Sequence, residues 1–246
     1  MQSAPWLGHY DEGVPASVGP YPERTLLDDL ADAVAQRPGA PALLFKGRTV
    51  SHGELDRRSD AFAAALAGLG VARGDRVALL LPNCPQFLIC ELGAWKAGAI
   101  VHPLNPIYTT QELEGALART GAETIVVLTP FYARVKAVQP RTALRRVVAT
   151  NVKEYLPPLL RVLFTLATER KDGHRVRLAE GDLWLGDLLD RHRDAARPAV
   201  PVAPDDPAVI LMSGGTTGTP KGVVGLHRHY TITGRQLGTW LQAGTA

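Results

Sequence analysis

From Ser213 to Gly222 the chain reads Ser-Gly-Gly-Thr-Thr-Gly-Thr-Pro-Lys-Gly, directly after the apolar run Ala208–Met212. Small and hydroxyl-bearing residues alternate with glycines and close on a single lysine, the composition of a loop that wraps a polyphosphate. Gly214, Gly215, Gly218 and Gly222 give the backbone access to φ > 0 and let N–H groups approach anionic oxygens closely. Thr216, Thr217 and Thr219 add hydroxyl donors beside Ser213, and Lys221 adds a mobile point charge. Gly218 and Gly222 are expected to hold backbone conformations that a β-branched residue cannot reach. The string is not a Walker A loop, because Pro220 precedes the lysine and Gly222 follows it. Nor does it contain G-x-G-x-x-G. An ordinary Gly/Thr surface loop is the alternative reading.

Such a loop needs a rigid base, and the preceding sequence alternates helical and strand-like segments. Thr25–Gln36 reads as a helix stopped by Pro38-Gly39, and Pro41–Phe45 with Arg48–Val50 as a small hairpin. Ser51-x-x-Glu54 and Thr109-x-x-Glu112 are capping-box signatures. The first opens a helix with Leu55, Phe62, Leu66 and Leu69 on one face, ended by Gly70. The second opens a helix running to Thr120. Val77–Leu81 and Thr124–Leu128 are continuous apolar runs, as expected of strands buried on both faces of a parallel sheet. A helix at 86–97 and a strand at 99–102 lie between them. Helices are also expected at 183–192 and around 230–241. Alternation at these lengths predicts an α/β fold, largely parallel sheets covered by helices. Asn105 and Tyr108, in the turn after one strand, lie either near a cleft or simply in the turn. His227 and His229 read as structural rather than ligand-facing.

Residues 1–23 are rich in Pro and Gly and read as an extended arm; 24–246 read as one domain. Within it, 134–171 is a basic insert whose acids are Glu154 and Glu169 alone. Its Leu156–Ala167 run forms a helix that would reach only about 20 Å, short of the ~30 Å hydrocarbon core. Two placements stay open: packed on the protein's own core, or lying in a membrane interface beside anionic lipid.

The chain has 246 residues, 46% of them hydrophobic and 21% charged, with a net charge of +3. That is ordinary globular material, and the charge is too small to argue for nucleic acid. Cys84 and Cys90 lack metal-ligand spacing and read as buried free thiols. No signal-like opening or spanning run is evident, so the expected location is cytoplasmic, with peripheral contact at the inner membrane face left open.

The loop string resembles the phosphate loop of the adenylate-forming (AMP-binding) superfamily. Arg73-Gly-Asp-Arg-Val-Ala-Leu-Leu-Leu-Pro-Asn83, the stretch Gly93–Thr109 and the opening Pro5–Pro15 resemble the same family's N-terminal half, most of all the bacterial long-chain fatty-acid–CoA ligases. The resemblance implies the N-terminal lobe of that fold, ending before the C-terminal domain. It implies a reaction in which a fatty acid or other carboxylate attacks the α-phosphorus of ATP, after which CoA displaces AMP. It also implies Mg²⁺, whose ligand would lie beyond this chain, as would the catalytic lysine and the adenine and ribose contacts. Thr216, Thr217, Gly218 and Lys221 match the loop's phosphate-contacting positions, and Gly214 stands where most members carry Ser. No catalytic or metal-binding residue is assigned to this chain. Two function classes stay open: part of an acyl-CoA ligase that needs a separately encoded C-terminal half, or a non-catalytic phosphate-binding or interaction relic. A ligase of the same family acting on another carboxylic acid is a third possibility.

Overall fold

Thr25 starts the first helix by accepting the Asp28 N–H on its hydroxyl, while the Asp28 carboxylate accepts the Thr25 N–H at 2.8 Å. The computed structural model describes residues 4–214 and 220–242. After α1 (Leu26–Gln36) come the antiparallel strands β1 (Pro41–Phe45) and β2 (Arg48–Ser51), a hairpin separate from the main sheet. Then follow α2 (His52–Gly68), β3 (Arg76–Leu80), α3 (Pro85–Lys96), β4 (Ile100–Pro103), α4 (Thr110–Thr120), β5 (Thr124–Leu128), α5 (Tyr132–Val138) and β6 (Arg146–Thr150). The rest comprises α6 (Pro158–Leu163), β7 (Leu183–Trp184), α7 (Leu185–Arg191), β8 (Pro207–Met212), β9 (Gly222–Leu226) and α8 (His227–Trp240).

The main sheet has seven strands in the order β7-β6-β5-β3-β4-β8-β9, all parallel except β9, which pairs antiparallel with β8. Successive residues of its central strands feed opposite faces. Val77 and Leu79 of β3, with Val126 and Leu128 of β5, enter the core formed with α1, α2, α3 and α7. Ala78, Leu80, Ile125 and Val127 enter the core under α4 and α5. This double burial is why those strands read as unbroken apolar runs.

Several expectations hold with sharper detail. Thr109 and Glu112 form a reciprocal capping box, and Gly70 sits at φ 78°, where the left-handed region favours glycine. Ser51 caps α2 by accepting the Glu54 N–H, but the Glu54 carboxylate turns instead to Arg48 and Arg58, each at 2.9 Å. The expected helix at 183–192 begins two residues late, because Leu183 and Trp184 pair with Val148 and Ala149 as β7. The N-terminal arm contains a 3₁₀ turn at Pro5–His9 and packs on α8, with Tyr10 edge-on to Trp240 at 4.9 Å. Of the basic stretch 134–171, the first part belongs to α5, which packs on one face of the sheet, and to β6 within it; only residues after Thr150 leave the sheet. Cys84 and Cys90 are buried free thiols, and burial pushes Cys84 up to about 11. Among the described residues no helix is long and apolar enough to cross a membrane.

Candidate phosphate-binding site

The strand that carries the loop is fixed from below by two buried side chains. The Trp95 indole N–H donates to the Ala208 carbonyl at 2.8 Å, and His102 Nδ1 lies 2.8 Å from the Ile210 carbonyl. A carbonyl only accepts, so His102 Nδ1 carries the hydrogen; burial also lowers this imidazole's pKa and keeps it neutral. Parallel pairing of Val101 with Val209 sets β8 beside β4. Trp95 packs edge-on against His227 at 5.2 Å and Tyr230 at 4.8 Å, which ties the base of α8 to the same point.

β9 returns along β8 with Met212 opposite Gly222. Just above that pair the Ser213 N–H donates to the Lys221 carbonyl at 2.8 Å, and the Lys221 N–H donates to Ser213 Oγ at 3.1 Å. Two hydrogen bonds therefore close the neck of the loop at the carboxyl end of β8. In open α/β sheets that end is where ligands bind. Beside the neck is a cleft of about 480 Å³ bordered by Tyr108, Glu112, Arg119, Met212, Gly214 and Pro220. The Glu112 carboxyl lies below its usual range because the Thr109 N–H and hydroxyl donate to it. Arg119 adds a guanidinium to the same wall.

Ser213, Gly214 and Lys221 thus stand together at the neck, with Lys221 exposed. Gly215, Thr216, Thr217, Gly218 and Thr219 lie outside the described residues. Gly222 corrects one expectation. It begins a strand and is not among the glycines at positive φ; what it spares is space, since a Cβ there would meet Ile210 Cγ2 at 3.1 Å. Of the two residues left open between cleft and turn, Tyr108 borders the cleft, whereas Asn105 serves the turn by accepting the Ile107 N–H at 3.1 Å. The available signal was the turn's position after a parallel strand. His227 is buried against Trp95 and His229 accepts the Leu226 N–H at 3.1 Å, so both are structural.

A family model described as AMP-binding enzyme matches residues 30–244. The chain belongs to this family. It is 30% identical over 243 residues to a long-chain-fatty-acid–CoA ligase of Bacillus subtilis, covering 98% of this chain and 43% of that protein. With a long-chain-fatty-acid–CoA ligase of Escherichia coli O157:H7 it shares 33% identity over 228 residues, 91% of this chain and 40% of the other. Among solved structures, a long-chain-fatty-acid-CoA ligase from Archaeoglobus fulgidus superposes with a TM-score of 0.68 at 26% identity, covering 94% of this chain and 42% of that one. This AMP-binding chain thus spans about two-fifths of the length of the relatives it matches.

Proposed function

We propose that this chain is the N-terminal part of an ATP-dependent fatty-acid–CoA ligase of long-chain type, and that its loop holds the β- and γ-phosphates of ATP while a carboxylate attacks the α-phosphorus. The observation that carries the reading is the closed neck between Ser213 and Lys221 at the carboxyl end of β8. A neck held by two hydrogen bonds gives the intervening Gly-Gly-Thr-Thr-Gly-Thr-Pro run fixed ends, which suits it to wrap a polyphosphate. Lys221 supplies the charge, and the hydroxyls of Ser213, Thr216, Thr217 and Thr219 with the loop N–H groups supply neutral donors. Aligning pyrophosphate as a leaving group is catalysis by positioning and charge stabilisation. Among the described residues no group of three or more His, Cys, Asp or Glu is placed to hold a metal. Mg²⁺ would arrive with ATP, and no residue of this chain is assigned to it.

The reading assigns adenylation and thioester formation to this lobe working with a C-terminal half. The alternative reading is a phosphate-binding module without turnover; the chain itself spans about two-fifths of the relatives' length. One experiment separates them: a coupled assay with ATP, Mg²⁺, CoA and a long-chain fatty acid, with and without the C-terminal half of a related ligase in trans. Turnover only with the second half supports the ligase. Phosphate binding without rescue supports the module, and turnover by residues 1–246 alone would relocate the chemistry. Replacing the fatty acid with an aromatic carboxylate in the same assay tests the acyl class.

A further inference from the structure

The connection between β6 and β7 carries a helix exposed on nearly every side, its leucines included. Pro158–Leu163 is α-helical and Phe164–Thr168 continues it as a π-turn. Leu159, Val162, Leu163 and Leu166, at helical spacing i, i+3, i+4 and i+7, are 71%, 56%, 52% and 80% exposed. An amphipathic helix on a globular surface normally buries that stripe. Here the inward contacts come from Phe164, whose ring packs edge-on to His174 at 4.9 Å.

The outward pose is held from both ends. Glu169, just past the helix, is buried and accepts from Lys153 Nζ and Asn151 Nδ2. At the other end Pro157 lies against the tip of the β1–β2 hairpin, where a Cβ on Gly47 would be 3.7 Å from Pro157 Cγ. The flanks are basic: Lys46 on the hairpin tip and Arg161, Arg170, Lys171, Arg175 and Arg177 are exposed, against Asp172 as the one exposed acid from 158 to 178.

An exposed aliphatic stripe rimmed by cations fits one partner better than others. Protein interfaces favour aromatic anchors and deplete charge at their centre, whereas an interfacial helix combines an apolar face with Lys and Arg that meet lipid phosphates. We propose that Pro158–Thr168 lies in the headgroup–acyl boundary of an anionic lipid surface, inserting Leu159, Val162, Leu163 and Leu166. The segment leaves the carboxyl end of β6, the same end of the parallel sheet from which the phosphate loop leaves β8, four strands or roughly 19 Å away. Docking would therefore bring the carboxyl end of the sheet, from which the proposed phosphate loop leaves β8, to the membrane side. The inference rests on the helix alone and holds whatever acyl group the protein takes.

The test is co-sedimentation of the 246-residue chain with vesicles of phosphatidylcholine alone or mixed with phosphatidylglycerol, at low and high salt. Anionic vesicles should bind it preferentially, with each basic residue removed (Arg161→Gln, Lys171→Gln) lowering partition roughly fivefold. Leu166→Ser with Leu159→Ser should lower it about tenfold or more, with an unchanged circular dichroism spectrum. Leu163→Trp should show a blue-shifted emission on anionic vesicles only. Leu237→Ser, on α8, should leave partition unchanged. Equal binding to neutral and anionic vesicles, indifference to salt, or insensitivity to the leucine changes would overturn the proposal. So would a vesicle-free dimer that Leu166→Ser abolishes, because a second copy would then be the occupant.

Discussion

Ser213 and Lys221 exchange hydrogen bonds across the neck of the loop, the serine N–H to the lysine carbonyl and the lysine N–H to the serine hydroxyl oxygen. The lysine backbone is thereby pinned while its side chain stays exposed. This separates two roles that a single substitution at either position would distinguish. Changing the serine alters the neck; changing the lysine side chain alters only the charge above it.

Lys221→Ala should therefore leave folding intact and weaken binding of ATP or pyrophosphate roughly ten- to a hundredfold, the range for one charge-assisted hydrogen bond. Titration of the 246-residue chain with a fluorescent ATP analogue measures it. Equal affinity in parent and variant would remove Lys221 from the site.

Trp95→Phe should loosen the loop's base from a distance. The ring volume largely remains, but the Ala208 carbonyl loses its 2.8 Å donor in a buried position. A cost of about 1–3 kcal/mol in urea unfolding is expected. Hydrogen exchange should quicken at the β8 amides more than at those of β5; uniform change across the sheet would contradict this.

Gly93→Ala should separate α2 from α3. A Cβ there would lie 2.8 Å from Phe62 Cδ1 and 2.8 Å from the Ser59 carbonyl oxygen, and the backbone atom cannot rotate away. The expected loss is about 1–3 kcal/mol, read from the midpoint of denaturant unfolding. A neutral result would show that the helices part freely.

Glu91 and His227 should oppose each other across the acid range. Burial pushes the Glu91 carboxyl up from 4.5 to about 7, despite its hydrogen bond from Tyr230, and pushes His227 down from 6.5 to about 4, despite Asp206. As pH falls from 7 to 4.5, folded Glu91 takes up its proton before the unfolded chain does, so it adds stability. As pH falls from 6.5 to 4, unfolded His227 protonates first, so it removes stability. Each effect is of order 3 kcal/mol, and together they nearly cancel. Glu91→Gln should expose the histidine's acid sensitivity, and His227→Gln should make the protein gain stability on acidification. Parallel pH profiles for both variants would show that neither group is shifted as described.

Where physics was local, the sequence was legible. The cap at Thr109 and the turn at Gly70 depend on neighbours a few residues away, and the apolar runs of β3 and β5 record burial on two faces directly. Where a distant partner decides, it was not. Leu183 and Trp184 are a strand only because Val148 and Ala149 lie beside them. Glu54 abandons the reciprocal half of its cap because Arg48 and Arg58 are within reach. The spacing of Leu159, Val162, Leu163 and Leu166 announces an apolar face but not which way it points. Tyr108 enters the cleft only once β8 is set beside β4.

The order of strands also dictates a history for each molecule. β8 enters beside β4 only after β5, β6 and β7 have been made, so a growing chain carries β4 as an unpaired edge through all of that synthesis. At about 5–20 residues per second the delay lasts seconds, and an exposed edge is an invitation to pair with another chain. Trp95 and His102 wait meanwhile without the Ala208 and Ile210 carbonyls that later satisfy them. The neck between Ser213 and Lys221 can close only once the polypeptide beyond Leu226 has cleared the ribosome, so a translational pause before Pro207 would leave a sheet that is nearly assembled, sticky and without that closure.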